Sequence, residues 1–103
     1  MEKYSQLRDL VSKLEGLELV EAPAVTDTQI LYAHDPSYLI KILSGNLSAK
    51  EQQEIGFPWS EKMVERSRRS AGATLAAAKA ALNEGLAANL AGGTHHAYRD
   101  RGS

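Results

Sequence analysis

Residues 71–96 read AGATLAAAKAALNEGLAANLAGGTHH, and this stretch decides the class of fold. As far as about Asn83 it is typical of a helix whose many small side chains let another backbone approach closely. Gly85 ends that helix, and Leu86–Leu90 follows as a short run typical of a strand buried on both faces. A helix, a glycine turn and a buried strand form half of a parallel α/β unit, so the stretch predicts part of a parallel sheet.

The sequence upstream of this stretch predicts mainly helices. Apolar periodicity and capping residues place them at about Tyr4–Glu15, Asp27–His34, Pro36–Ser44, Ser48–Gly56 and, running into the stretch above, Ser60–Asn83. Leu17–Val20 alternates apolar and polar residues before Pro23 and is predicted to be a short strand. The sequence therefore predicts a mostly α-helical segment with about two short strands.

Length, charge and composition exclude several classes of function. A chain of 103 residues is one small domain at most. Its net charge of −1 argues against nucleic acid and anionic membranes as main partners. The absence of cysteine excludes disulfides and thiol nucleophiles and fits a reducing cytosol, so we expect a cytoplasmic protein. No apolar run approaches the ~18 residues of a membrane span, and the charged start has no signal-peptide core.

The best candidate site is Gly92-Gly93-Thr94-His95-His96, directly after the second predicted strand. In open parallel sheets, ligands bind where loops leave the carboxyl ends of the strands. His95 and His96 bring two groups that titrate near neutrality to that place, and histidine is the commonest general acid–base residue. The alternatives are a solvated tail or structural donors to carbonyl groups. Two adjacent histidines alone are too few ligands for a metal site.

Three other groups favour structural roles. Asp35 is predicted to cap the helix that begins at Pro36, and His34 is predicted to face the end of the preceding helix. The cluster at 65–69 could bind phosphate, but its acidic neighbours favour a solvated face. Trp59 could line a pocket, yet its place before a helix start favours core packing against Val64.

Residues 89–97, NLAGGTHHA, resemble the tandem-histidine motif of the histone deacetylase family. The tail at 98–102 resembles bacterial members, including deacetylases of the acetoin-utilisation type. Three upstream segments agree in order, namely HDPSY at 34–38, GFPWS at 56–60 and SAGATLAAA at 70–78. The resemblance therefore covers essentially the whole chain.

This resemblance implies an α/β fold with the parallel sheet of the arginase and deacetylase type. It also implies a zinc-dependent hydrolase that cleaves acetyl-lysine or related amides, in which zinc polarises the carbonyl and activates water. By resemblance His96 would be the general base and acid, and His95 would assist electrostatically.

The sequence departs from the family pattern in its metal ligands. The family binds zinc through an Asp-x-His pair and a later aspartate, all after the tandem histidines, and it also uses a late tyrosine. None of the aspartates here begins Asp-x-His; they are Asp9, Asp27, Asp35 and Asp100. We therefore expect 1–103 to be a single incomplete domain, the N-terminal part of a deacetylase-like domain. It would hold no metal by itself and be catalytically silent alone, with zinc and an acetylated-lysine substrate expected only for the complete enzyme.

The alternative is a non-catalytic helical interaction protein derived from the same family. Both hypotheses leave strand edges and an alanine–leucine face uncovered, and such surfaces invite pairing. We therefore expect a homodimer or higher oligomer, or association with a missing C-terminal portion.

Overall fold

Helices form most of the chain in the computed structural model, which describes residues 2–93 and 96–102. The described part contains five of them: α1 (Glu2–Ser12), α2 (Asp27–Leu31), α3 (Pro36–Ser44), α4 (Ala49–Ile55) and α5 (Glu61–Glu84). The predicted helices are thus confirmed, although α1 and α2 each end three residues before the predicted boundary. None of the described helices combines the length and apolar character needed to cross a membrane.

The helix ends form where the capping residues predict them. Ser48 accepts a hydrogen bond from the Glu51 amide at 3.1 Å, and the Glu51 carboxylate accepts one from the Ser48 amide at 3.1 Å. This reciprocal capping box satisfies two amides that a helix start leaves unpaired. The backbone hydrogen bond from Ser48 also lowers the pKa of the Glu51 carboxyl group. Three helices end at glycines with a left-handed backbone, Gly45, Gly56 and Gly85.

The two predicted strands do not form in the described residues. Leu17–Val20 and Leu86–Leu90 have no ladder of backbone hydrogen bonds, and Leu86 is 85% exposed. In the described part of the chain, Ala97 and Gly102 form an isolated antiparallel bridge. A strand takes its hydrogen bonds from a neighbouring strand. No such neighbour lies beside either segment, so both are irregular, and the described part of the chain is mostly helical without the two predicted strands.

The tightest packing lies where residues 21–26 cross α5. Gly72 is buried there, and a side-chain carbon added to it would overlap the carbonyl oxygen of Pro23. The Val25 amide donates to the Arg68 carbonyl at 3.0 Å, and Arg68 Nη1 donates to the Val25 carbonyl at 3.0 Å. Val25 is only 6% exposed. The absence of a side chain at Gly72 therefore lets two backbone segments meet directly.

Arg68 and Arg69 also hold residues 21–26 against α5. Arg68 Nη2 pairs with the Asp27 carboxylate at 2.5 Å, and Arg69 Nη1 donates to the Ala22 carbonyl at 2.8 Å. Arg69 Nε also pairs with Glu65 on α5 at 3.0 Å. Two side chains of the predicted solvated cluster thus fasten a loop to a helix.

Trp59 fixes the start of α5 against α3. Its indole Nε1 donates to the carbonyl of Ile42 at 2.7 Å, and its ring lies against Gly45. Leu39, on the same helix α3, is 8% exposed. Trp59 is therefore a packing residue against the end of α3, and its predicted contact with Val64 stays a prediction.

Much apolar surface stays open to solvent. In the described part of the chain, Val25 and Leu39 are the buried hydrophobic residues, whereas Leu82 is 88% exposed. Helix α1 packs against none of the other described helices, so its leucine face is exposed as well. The radius of gyration is 15.2 Å, above the ~13 Å typical of a 100-residue domain. The chain therefore presents apolar faces that another surface would have to cover.

Candidate functional site

The loop that leads to the tandem histidines is fastened to α5 by Asn89. Its Nδ2 donates to the Ser70 carbonyl at 3.1 Å and to Thr74 Oγ1 at 3.0 Å. Its Oδ1 accepts from the Ala91 amide at 3.0 Å. Ser70 Oγ completes the arrangement by donating to the Ala91 carbonyl at 2.7 Å. The backbone just before Gly92 is thus held on the helix by three hydrogen bonds, and the fourth, from the Ala91 amide to Asn89, lies within the loop.

Of the two predicted catalytic histidines, the structure describes His96. His95 and Thr94 lie outside the described residues. His96 is exposed and lines a cavity of about 260 Å³. His34 and Tyr38 line the same cavity, so the structure brings the motif at 34–38 next to the tandem-histidine motif.

The cavity is lined mainly by apolar surface and carries a few polar groups. Its remaining walls come from α3, α4, α5 and the turn at 97–102, through Ile42, Ile55, Met63, Ser67, Ala97, Arg101 and Gly102. An apolar hollow with a few convergent polar groups is the common form of a small-ligand site. The two imidazoles and the phenol give this one groups that can donate, accept or transfer a proton.

A compact turn at 97–102 forms one wall of the cavity through Ala97, Arg101 and Gly102. The bridge between Ala97 and Gly102 pairs its two ends, and the Tyr98 amide donates to the Arg101 carbonyl at 3.0 Å. The Arg101 guanidinium stacks over the Tyr98 ring, 4.4 Å from its centre. The carbonyl of Arg99 then accepts from the Asp35 amide at 2.8 Å. The turn is therefore docked on the junction between α2 and α3.

The motif at 34–38 combines a helix cap with contacts to this turn. Asp35 caps α3, as predicted, because its Oδ1 accepts from the Ser37 amide at 3.1 Å. His34 Nδ1 lies 3.3 Å from the Arg99 carbonyl oxygen. The rings of His34 and Tyr38 are 6.3 Å apart. His34 therefore contacts a segment 65 residues away, a contact that helix-end spacing does not predict.

The surroundings of Tyr38 favour its neutral phenol. Burial, chiefly, and then the nearby carboxylates of Glu51, Glu54 and Asp100 raise its pKa above the ordinary 10.0. A hydrogen bond from the backbone of Gly102 acts in the opposite direction. Tyr38 therefore stays protonated, and able to donate a hydrogen bond, throughout the physiological range.

We expect the fold to lose stability in alkaline solution through Tyr38. Because its folded-state pKa is raised, the protonated phenol contributes stability that is complete below about pH 10 and is lost as pH rises through the folded pKa. Tyr38→Phe should make stability less dependent on pH in that range. Thermal unfolding between about pH 8 and pH 11 measures the effect. Tyr32→Phe, at an 82% exposed position, is the matched control and should keep the slope of the wild type. Equal slopes for all three proteins would contradict this prediction.

The described residues do not fit a catalytic zinc ion. A site of that kind takes three protein ligands, usually histidine and carboxylate side chains. Among residues 3–93 and 96–102, no three histidine, aspartate or glutamate side chains lie close enough together to hold a metal. Two of the aspartates already have partners, since Asp27 pairs with Arg68 and Asp35 caps α3.

Comparison with known proteins identifies the family to which the chain belongs. A model of the histone deacetylase domain matches residues 1–103. The chain therefore belongs to the histone deacetylase domain family, which confirms the resemblance seen in its motifs. It is also 42% identical over 87 residues to an uncharacterized protein of Picosynechococcus sp.. That match covers 84% of this chain and 29% of the relative, so the chain spans under a third of the relative's length.

Proposed function

We propose that the chain is the tandem-histidine segment of a zinc-dependent, deacetylase-like amide hydrolase that cleaves acetyl-lysine or a related amide. The observation that carries the proposal is the position of His96. This residue belongs to the tandem-histidine motif of the family and lines a cavity with His34 and Tyr38. The match to the deacetylase domain over 1–103 supports it. In the complete α/β domain, Leu17–Val20 and Leu86–Leu90 would be strands of the parallel sheet, each paired with a neighbour. We also keep the prediction of a cytoplasmic location.

In this proposal the two histidines carry the proton transfers. The imidazole of His96 accepts a proton from the water that attacks the amide carbonyl and returns it to the departing amine, so that the amide is cleaved by one water. His95 assists by stabilising charge. A histidine suits both transfers because its ordinary pKa lies near neutrality.

The metal would need ligands from outside the described residues, since these offer no cluster of three. We therefore propose that zinc belongs to the complete family domain and that this chain alone is catalytically silent. The acyl substrate would then be processed only by the assembled enzyme.

Hydrolysis of an acetyl-lysine peptide by the purified chain tests this function. The assay is run with added zinc, with a chelator, and with the double variant His95→Ala/His96→Ala as control. We expect no activity above that of the double variant. Zinc-dependent activity that disappears in the double variant would contradict the prediction that the chain alone is inactive. It would mean that metal ligands are supplied across an interface between copies.

A complementation assay tests the role of His96 directly. The chain is mixed with the part of the Picosynechococcus relative that it does not match, and hydrolysis is measured with zinc. We expect activity to appear with the wild type and to fall about 10²- to 10⁴-fold with His96→Ala, the usual range for a general acid–base residue. Equal activity of the two would remove His96 from the proposed chemistry.

The exposed leucines favour a second candidate function, a non-catalytic interaction protein that associates with itself. Leu10, Leu82 and Leu86 are 64%, 88% and 85% exposed, respectively. Large exposed apolar patches are typical of interaction surfaces. Sedimentation equilibrium should then show a homodimer or higher oligomer, and complementation should restore no hydrolysis. A strictly monomeric species at high concentration would contradict the oligomer.

A further inference from the structure

The carbonyl oxygen of Arg99 is held from two sides by the motif at 34–38. The backbone amide of Asp35 donates to it at 2.8 Å, and His34 Nδ1 lies 3.3 Å from it. A carbonyl oxygen can only accept, so the hydrogen of this second bond must be on Nδ1 of the imidazole. In the neutral ring, Nε2 is then left as an acceptor. The contact therefore selects one tautomer of His34.

A second attachment holds the end of the same turn. The hydroxyl of Tyr38 lies beside the backbone of Gly102. A side-chain carbon placed on Gly102 would lie 3.5 Å from that hydroxyl and 3.3 Å from Ile55. His34 thus holds the turn at Arg99, Tyr38 lies against it at Gly102, and both side chains line the same cavity as His96.

The docked turn limits the position of His96, because His96 lies only three positions before Arg99. Three residues of extended chain span at most ~11 Å. A fixed Arg99 therefore keeps the backbone of His96 within that distance of the docked turn, and the next residue, Ala97, is itself paired with Gly102. Without the docking, the exposed turn would depend on its internal contacts, namely its bridge, the Tyr98–Arg101 hydrogen bond and the stacking of Arg101 on Tyr98.

We propose that His34 is a positioning residue for the tandem-histidine motif. Its Nδ1–H, together with the Asp35 amide and the Tyr38 hydroxyl, holds the turn at 97–102 and so fixes where His96 stands. The importance of this place for catalysis rests on the proposed function. The docking itself does not, because it is made by hydrogen bonds within this chain.

Nuclear magnetic resonance of the full 103-residue chain tests the proposal without any assay of activity. Long-range ¹H–¹⁵N spectra of the wild type report the tautomer of His34 directly, and we expect hydrogen on Nδ1. A spectrum showing hydrogen on Nε2 alone would overturn the proposal. This measurement needs no variant and so does not depend on whether a substituted chain folds.

Two substitutions then test the consequence for His96. His34→Leu removes the donor, whereas His34→Asn keeps an N–H group close to the position of Nδ1 and should rescue the contact. With His34→Leu we expect exchange of the Asp35 and Tyr98 amides to become roughly five- to tenfold faster, the effect of one hydrogen bond, and the ring signals of His96 to move. With His34→Asn both readouts should stay near the wild type.

The amide of Gly85, which donates to Ala81 at 2.7 Å, monitors the fold of α5 and should be unaffected. Unchanged Tyr98 exchange and unchanged His96 signals in His34→Leu would overturn the proposal. Because no readout uses hydrolysis, a chain that shows the docking but gives no activity on complementation would contradict the proposed function alone.

Discussion

Replacing Gly72 with alanine should destabilise the fold by about 2–3 kcal/mol, the upper range for forcing an extra carbon into packed structure. Inside an exposed helix the same change normally stabilises by ~1 kcal/mol, because alanine has the higher helix propensity. Here the sign reverses, since the added carbon would overlap the Pro23 carbonyl and also approach the amide of Val25. Both neighbours are backbone, so no flexible side chain can move aside.

The residues at 21–26 would have to lift away from α5. That movement would break the hydrogen bond from the Val25 amide to the Arg68 carbonyl and would expose Val25, one of the few buried apolar side chains in the described part. We therefore expect exchange of the Val25 amide to become about 10²-fold faster in Gly72→Ala, since each 1.4 kcal/mol is about a factor of ten. Thermal unfolding should shift in the same direction.

Gly92→Ala is the matched control, because nothing lies within 4 Å of the carbon added there. It should leave the Val25 amide unchanged. A Gly72→Ala chain as stable as the wild type, or more stable, would mean that residues 21–26 do not rest on α5.

The contacts around Gly72 show where sequence reasoning stops. The helix starts at Ser48 and Ser60 could be predicted, because a cap depends on residues three positions apart. The roles of Arg68 and Arg69 could not, since their partners lie 43 and 47 residues away. A cluster of mixed charges looks the same in sequence whether it faces water or clamps a loop.

The strands illustrate a different limit. The apolar run Leu86–Leu90 predicts burial, but burial in a parallel sheet needs a neighbour on each side. In the described residues no such neighbour is present, and Leu86 remains 85% exposed. A pattern of apolar residues thus predicts that a segment can be buried as a strand, whereas its pairing depends on other parts of the fold.

At the candidate site, the motif could be found from sequence but its supports could not. His95 and His96 stand out because two histidines follow a glycine pair. The sequence predicts that His34 lies at a helix end, but it does not predict the contact of His34 with Arg99. Asn89 offered one local clue, a single amide side chain within the otherwise small and apolar run LAANLA at 86–91. A polar residue in such a run needs partners, and the structure shows that α5 provides them.

Asn89→Ala should therefore release the loop before the tandem histidines and destabilise its attachment to α5 by about 2 kcal/mol. The change removes two donor contacts, to the Ser70 carbonyl and to Thr74 Oγ1, and the acceptor of the Ala91 amide. Each of the two bonds to α5 contributes ~1 kcal/mol, and the Ser70–Ala91 bond remains in the variant. We expect exchange of the Ala91 amide to become roughly 30-fold faster, in line with 1.4 kcal/mol per factor of ten.

Two further variants make the test specific. Asn89→Asp keeps an acceptor for the Ala91 amide but places a carboxylate beside the Ser70 carbonyl, so it should be at least as destabilising as Asn89→Ala. Asn83→Ala, the same substitution at an exposed position near the end of α5, should change stability by no more than ~0.5 kcal/mol. If Asn89→Ala behaves like Asn83→Ala, the amide of Asn89 does not hold the loop, and the backbone before Gly92 must be placed by other contacts, such as the Ser70–Ala91 hydrogen bond.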